Sequence, residues 1–169
     1  TNGNPWIEPE DEWRQAAAAI PAARDLDQAL LSISTLILSQ LNADIAGVFL
    51  LEDDMLVMRS VIGNRAAETA RLRIKAGQGL AGRVLATRAP CTVHAYGDDE
   101  HISAHFNHLA KLECARGALA VPMLVTGEPV GVLEVWRRDD RSFDEANVRT
   151  LTGLASLATI AIDNARLYH

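Results

Sequence analysis

The stretch from Gly117 to Phe143 constrains this chain most. It reads Gly-Ala-Leu-Ala-Val-Pro-Met-Leu-Val, then Thr-Gly-Glu-Pro, then Val-Gly-Val-Leu-Glu-Val-Trp, then a charged run ending in Ser-Phe. Two apolar runs of strand length flank a short turn punctuated by Gly127 and Pro129, which is the pattern of a β-hairpin. Both runs are almost continuously apolar, so both faces of the hairpin are expected to be covered. From Ser142 to Tyr168 the spacing of apolar residues predicts one long helix. Ahead of the hairpin lie a glycine-rich stretch, most of the histidines and both cysteines.

The rest of the chain supplies what can cover that hairpin. Residues 1–9 read as a loose leader. Trp13, Ala16, Ala17 and Ile20 recur at helical spacing over 10–23, and Pro21 is placed to end that helix. Asp25 is a plausible N-cap for a second helix reaching about Leu41, with Gln28 three residues on. Its positions Leu26, Leu30, Ile33, Ile37 and Leu41 form a core-facing stripe. Strands are expected at 45–51, 55–62, 72–75 and 90–94, with a loop or short helix at 64–71. Helices are expected from the glycine-rich stretch to about Thr87 and over 101–112. The tally is roughly five or six strands, paired largely in hairpins, with helices at both ends. That is an α+β fold with an antiparallel sheet, its terminal helices together on one face.

The last helix carries a wider apolar stripe than one sheet-facing surface needs. Val148, Leu151, Leu154, Ala155, Ala158, Ile162 and Ala165 form one set, and Leu157, Ile160, Ala161, Leu167 and Tyr168 a second. A deeply buried helix would explain this. We favour the alternative that the second face, with Trp13 and Ile20, meets the same helices of another subunit.

Composition excludes several classes. The chain has 169 residues and a net charge of −6, so no basic surface dominates and direct nucleic-acid binding is not expected. No run of about 18 apolar residues is present, so no membrane span is expected. Two cysteines, Cys91 and Cys114, are too few for a disulfide framework, which fits a reducing cytoplasm. No signal-peptide pattern opens the chain, and an upstream segment is expected.

The order of these motifs resembles a GAF domain. The matching residues are Leu26-Asp27, Ala43-Asp44-Ile45-Ala46, Val61-Ile62-Gly63, and the stretch from Gly77 to Val84. They continue with Ala120-Val121-Pro122-Met123, Gly131 to Val135, Phe143-Asp144-Glu145, and Ala161 to Ala165. The resemblance covers about residues 25–168. It implies a six-stranded antiparallel sheet with the N- and C-terminal helices on one face and a ligand pocket on the other. It also implies a sensory domain over 25–169, preceded by a leader and signalling helix at 1–24. Such modules sit in bacterial transcription regulators and sensor histidine kinases, regulate an attached output domain, and pair as homodimers.

The pocket candidates come from the free sheet face and the segment covering it: Phe49, Met58, Leu80, Tyr96, His101, His105, Phe106 and Trp136. His or Tyr would orient a polar ligand group, while Met, Phe and Trp would wall an apolar body. These side chains would equally fill the core of a GAF domain used for dimerisation alone. His101, His105 and His108 share one face if their segment is helical, which would suit a metal. The resemblance also raises haem as a cofactor, since some sensor kinases of the family take a proximal histidine from the stretch where His105 and His108 lie. A solvated polar face is the preferred reading. Gly77, Gly79 and Gly82 do not form a phosphate-binding fingerprint and read as a tight turn and close helix packing. In the family's cyclic-nucleotide binders an Asn-Lys pair is expected where this chain has Trp136-Arg137. Cys91 and Cys114 raise a thiol-dependent reductase of the kind one GAF family contains, but buried packing cysteines are preferred. No catalytic constellation stands out, so an enzyme is not expected.

Overall fold

The computed structural model describes residues 26–95 and 107–167. Its elements in order are α1 (Leu26–Leu41), β1 (Ile45–Glu52), β2 (Met55–Ile62), a 3-10 turn (Ala67–Arg71), β3 (Arg73–Lys75) and α2 (Gly79–Thr87). Then come β4 (Cys91–Val93), α3 (Asn107–Glu113), β5 (Gly117–Val125), β6 (Glu128–Arg137) and α4 (Glu145–Leu167). The expected helix over 10–23 lies outside the described residues, as does the first half, 101–106, of the one expected over 101–112.

The six strands form one antiparallel sheet in the order β3-β2-β1-β6-β5-β4. Both hairpins close on two-residue turns with positive φ, at Asp53-Asp54 and Thr126-Gly127. That backbone twist matches the right-handed twist of the strands it joins. β1 and β6 lie at the centre and pair with each other, Ile45 opposite Trp136 and Phe49 opposite Val132. Gly131 makes that pairing possible, because a side chain there would run into the Phe49 carbonyl and the Met123 methyl.

Alternation along the strands builds two cores. Ala46, Val48 and Leu50 of β1, Leu119, Val121 and Met123 of β5, and Leu133 and Val135 of β6 pack under α1 and α4. Ile45 and Phe49, Ala118 and Ala120, and Val132 and Trp136 form the opposite face, covered by α2 and by Ala110 of α3. The expected layering is therefore present: terminal helices on one face and a covering segment on the other.

Helix ends explain the boundaries. Asn42 takes the left-handed conformation after α1, with the Ala43 N–H donating to the Leu38 carbonyl at 3.2 Å, a common helix stop. α4 starts at Glu145 and not at Ser142 because Asp144 caps it. The Asn147 N–H donates to Asp144 Oδ1 and the Asp144 N–H to Asn147 Oδ1, each at 2.9 Å, which satisfies two end donors reciprocally. α3 stops at Cys114, also left-handed, and the Ala115 N–H donates back to the Ala110 carbonyl at 2.9 Å.

Candidate functional site

β6 sets the geometry of the site. Its residues alternate between the two cores, so Val132, Glu134 and Trp136 face the covering helices while Leu133, Val135 and Arg137 face the terminal ones. Between the sheet and its cover lies a narrow cavity, partly open to solvent, of about 360 Å³ with its open mouth included. The floor is Glu134 and Trp136. One wall is Leu72 and Ile74 at β3, another Leu80 and Ala81 of α2, and the third Leu109, Ala110 and Glu113 of α3 with Ala115 beyond it. Gly82 seats α2 against that wall, since a Cβ there would collide with the Lys75 carbonyl.

Glu134 is the unusual group. It is 5% exposed in an apolar layer. Burial pushes its carboxyl up from an ordinary 4.5 to about 8, opposed in part by the Trp136 indole N–H, because an ionised carboxylate loses its hydration there. That N–H leans towards the carboxylate without completing a hydrogen bond, and Trp136, 6% exposed, keeps a buried donor without an acceptor. Native structures contain few such groups, and each one calls for an explanation. A smaller space of about 120 Å³ adjoins the same pair and is bounded by Ile45, Gly47 and Met58. A Cβ on Gly47 would meet the Met58 methyl at 2.8 Å, so glycine there is what lets Met58 lie across the sheet.

Glu113 is the second buried acid, and unlike Glu134 it is saturated. Its carboxylate accepts the Arg65 N–H at 2.7 Å, the Ala66 N–H, and Arg138 Nη2 at 3.3 Å. Arg138 also donates to the carbonyls of Glu113 at 2.7 Å and Gly63 at 2.8 Å. This knot pins the end of α3 and the loop after β2 to the end of β6.

On the other face, Arg137 gathers the ends of the terminal helices. Its guanidinium donates to the carbonyls of Leu41 at 2.6 Å, Asn42 at 3.3 Å and Ser142 at 2.9 Å. It stacks on Phe143, 4.1 Å from the ring centre. A cation at the C-terminus of α1 also complements the helix dipole. One β-strand thus carries the cavity floor and, one residue on, the clamp on the two helices.

The sequence-derived candidates divide accordingly. Leu80 and Trp136 line the cavity, Met58 borders the adjoining space, and Phe49 is fully buried in the same layer without lining either. Tyr96, His101, His105 and Phe106 lie outside the described residues. His94 and His108 are exposed, and among the described residues no group of three or more potential ligands could hold a metal. Cys91 is half-buried on β4 and Cys114 is exposed, and neither lines the cavity. Sequence reasoning missed Glu134, although a lone acid inside Val-Gly-Val-Leu-Glu-Val-Trp was the available signal. It also missed Glu113 and Arg137, which lie beside turns in charged surroundings and look solvated in sequence.

Comparison with known proteins agrees with this architecture. A family model described as a GAF domain matches residues 23–163. No curated protein matches the chain. Among solved structures, the GAF domain of a phosphoenolpyruvate-protein phosphotransferase from Coxiella burnetii is similar, with a TM-score of 0.78 and 26% identity over 91% of this chain and 92% of that one. Free methionine-R-sulfoxide reductase from Neisseria meningitidis, in complex with its substrate, gives a TM-score of 0.77 and 21% identity over 94% of this chain and 90% of that one. A GAF domain/HD domain protein from Geobacter sulfurreducens gives 0.73 and 19% over 89% of this chain and 98% of that one. No helix among the described residues is long and apolar enough to cross a membrane.

Proposed function

The chain belongs to the GAF domain family, and we propose that it senses a small molecule in the cavity over β6 and passes the bound state to an attached output domain through its terminal helices. The observation that carries this is the double role of β6. Glu134 and Trp136 face the cavity, while Arg137 holds the Leu41 and Ser142 carbonyls at the helix ends. A ligand that draws Glu134 and Trp136 together can shift the end of β6, and with it the seat of α1 and α4. Such a shift needs differential affinity for two arrangements of those helices, not affinity alone.

The unit that responds is a homodimer joined through α1 and α4. Leu31 of α1 is 51% exposed and Ile160 of α4 is 56% exposed, apolar side chains that a second copy would cover. In a bacterial signalling protein the output would be a DNA-binding or histidine-kinase domain in the cytoplasm. A thiol reductase is disfavoured: both cysteines of the sequence are described, and neither side chain faces the cavity. Dimerisation without a ligand has the narrowness of the cavity in its favour.

A thermal-shift screen against metabolites of every charge class separates these readings. Sensing predicts that at least one class stabilises the protein by roughly 2–3 kcal/mol at a hundredfold excess over its Kd, and that Trp136→Ala abolishes the effect. No stabilisation by any class, with no small molecule found by mass spectrometry in the purified protein, would leave dimerisation alone.

A further inference from the structure

The ionisable groups in the cavity lining are of one type among the described residues. Among the described residues its lining includes two acids, Glu113 and Glu134, and no Lys, Arg or His. Glu113 is already balanced by Arg138 and two backbone N–H groups. Glu134 has no cation beside it and only the approach of the Trp136 N–H. An isolated acid in an apolar layer costs stability unless something uses it. The remaining walls near it, Leu80, Ala81 and Ala110, are apolar and mostly small.

We propose that this cavity binds a small organic cation, a protonated primary amine on a short apolar body. Glu134 is its counter-charge, and the Trp136 N–H donates to an oxygen placed close to the amine. This rests on the sensing reading and narrows it to one ligand class.

The chemistry follows from the inventory. An ammonium group is donor-only and an ionised carboxylate acceptor-only, so the pair satisfies both. The indole N–H, left over, selects for an acceptor oxygen such as a hydroxyl. An anion finds no basic partner among the described lining residues. The groups around Glu134 can be named by element: Gly47 of β1 and Met58 of β2 carry no charge, Leu80 and Ala81 of α2 none, and α3 contributes Glu113. Among the described residues, the ionisable groups that face the incoming cation are acids. Because unliganded Glu134 holds its proton at neutral pH, amine binding at pH 7 releases about one proton.

Isothermal titration calorimetry at millimolar ligand tests the proposal with n-butylamine, 2-aminoethanol, n-butanol and n-butyrate, each in phosphate and in MOPS at pH 7. The two amines are expected to bind with proton release, n-butanol at least about tenfold more weakly, and n-butyrate not at all. Glu134→Gln keeps the shape and is expected to lower n-butylamine affinity at least about tenfold while leaving n-butanol unchanged. Trp136→Phe is expected to weaken 2-aminoethanol more than n-butylamine. Equal amine affinity in the Gln variant, butyrate binding as tight as butylamine, or no binding by either amine would each overturn it. Binding of butanol or butyrate without the amines would remove the cation and leave sensing intact. Sensing itself falls only if the full metabolite screen is silent.

Discussion

Replacing Glu134 with glutamine is expected to make the unliganded protein more stable at pH 8 by about 3 kcal/mol. The group ionises near 4.5 in the unfolded chain and near 8 in the folded one. Between those values the folded state keeps a proton that the unfolded state has lost. Stability attached to this group is therefore greatest below about pH 4.5, falls as pH rises towards 8, and is flat above it. The shift corresponds to at most roughly 5 kcal/mol, and relaxation around the charged form leaves about 3. Glutamine has nearly the same shape and cannot ionise, so it escapes that loss. Thermal melts of both proteins at pH 5 and pH 8 measure it. The difference should be small at pH 5 and grow to roughly 5–10 °C at pH 8 in favour of the variant. A variant no more stable at pH 8 would mean that Glu134 is ionised and partnered in the native protein. The prediction matters for function because a site retained at a cost in stability is expected where binding needs the group.

Glu113→Ala should act in the opposite sense, with a loss of about 3–5 kcal/mol. The carboxylate is fully buried and accepts from Arg65, Ala66 and Arg138. Its removal strands two backbone donors and takes the counter-charge from a guanidinium that keeps its bonds to the Glu113 and Gly63 carbonyls. Glu113→Gln keeps one carbonyl but turns an amide N–H₂ towards donors, so about half the loss is expected. Denaturant unfolding gives the size. Hydrogen exchange gives the location, with Arg65 and Ala66 losing protection first. A loss below about 1 kcal/mol would mean that water replaces the carboxylate there.

Much of the fold was legible because period and punctuation agreed. The β5–β6 hairpin, the β1–β2 hairpin, α1 and α2 all follow from apolar runs broken by Asp-Asp or Gly at two-residue turns. Boundaries moved where a cap decided them, as at Asp144 before α4. The site was harder. In a strand covered on both sides the alternation is hidden, since Leu133 and Val135 look like Val132 and Trp136 in sequence. Which face receives Glu134 depends on the pairing of β6 with β1 and on what packs above it. Arg137 ends an apolar run and begins a charged one, so it reads as exposed. Only the meeting of α1 with the start of α4 shows it is a clamp. The histidines drew attention by spacing, yet His94 and His108 point to solvent, and polar spacing alone does not tell a site from a wet surface.

The central claim is that β6 links the cavity to the terminal helices. Hydrogen exchange across α1 and α4, with and without the strongest binder from the thermal-shift screen, tests it most directly when wild type is compared with Arg137→Met. The account predicts that ligand changes protection in wild type at the cavity, at the end of α1 and in the first turns of α4. In Arg137→Met the change should stay at the cavity. Wild-type changes that stop at Glu134 and Trp136 and never reach Leu41 or Ser142 would contradict it.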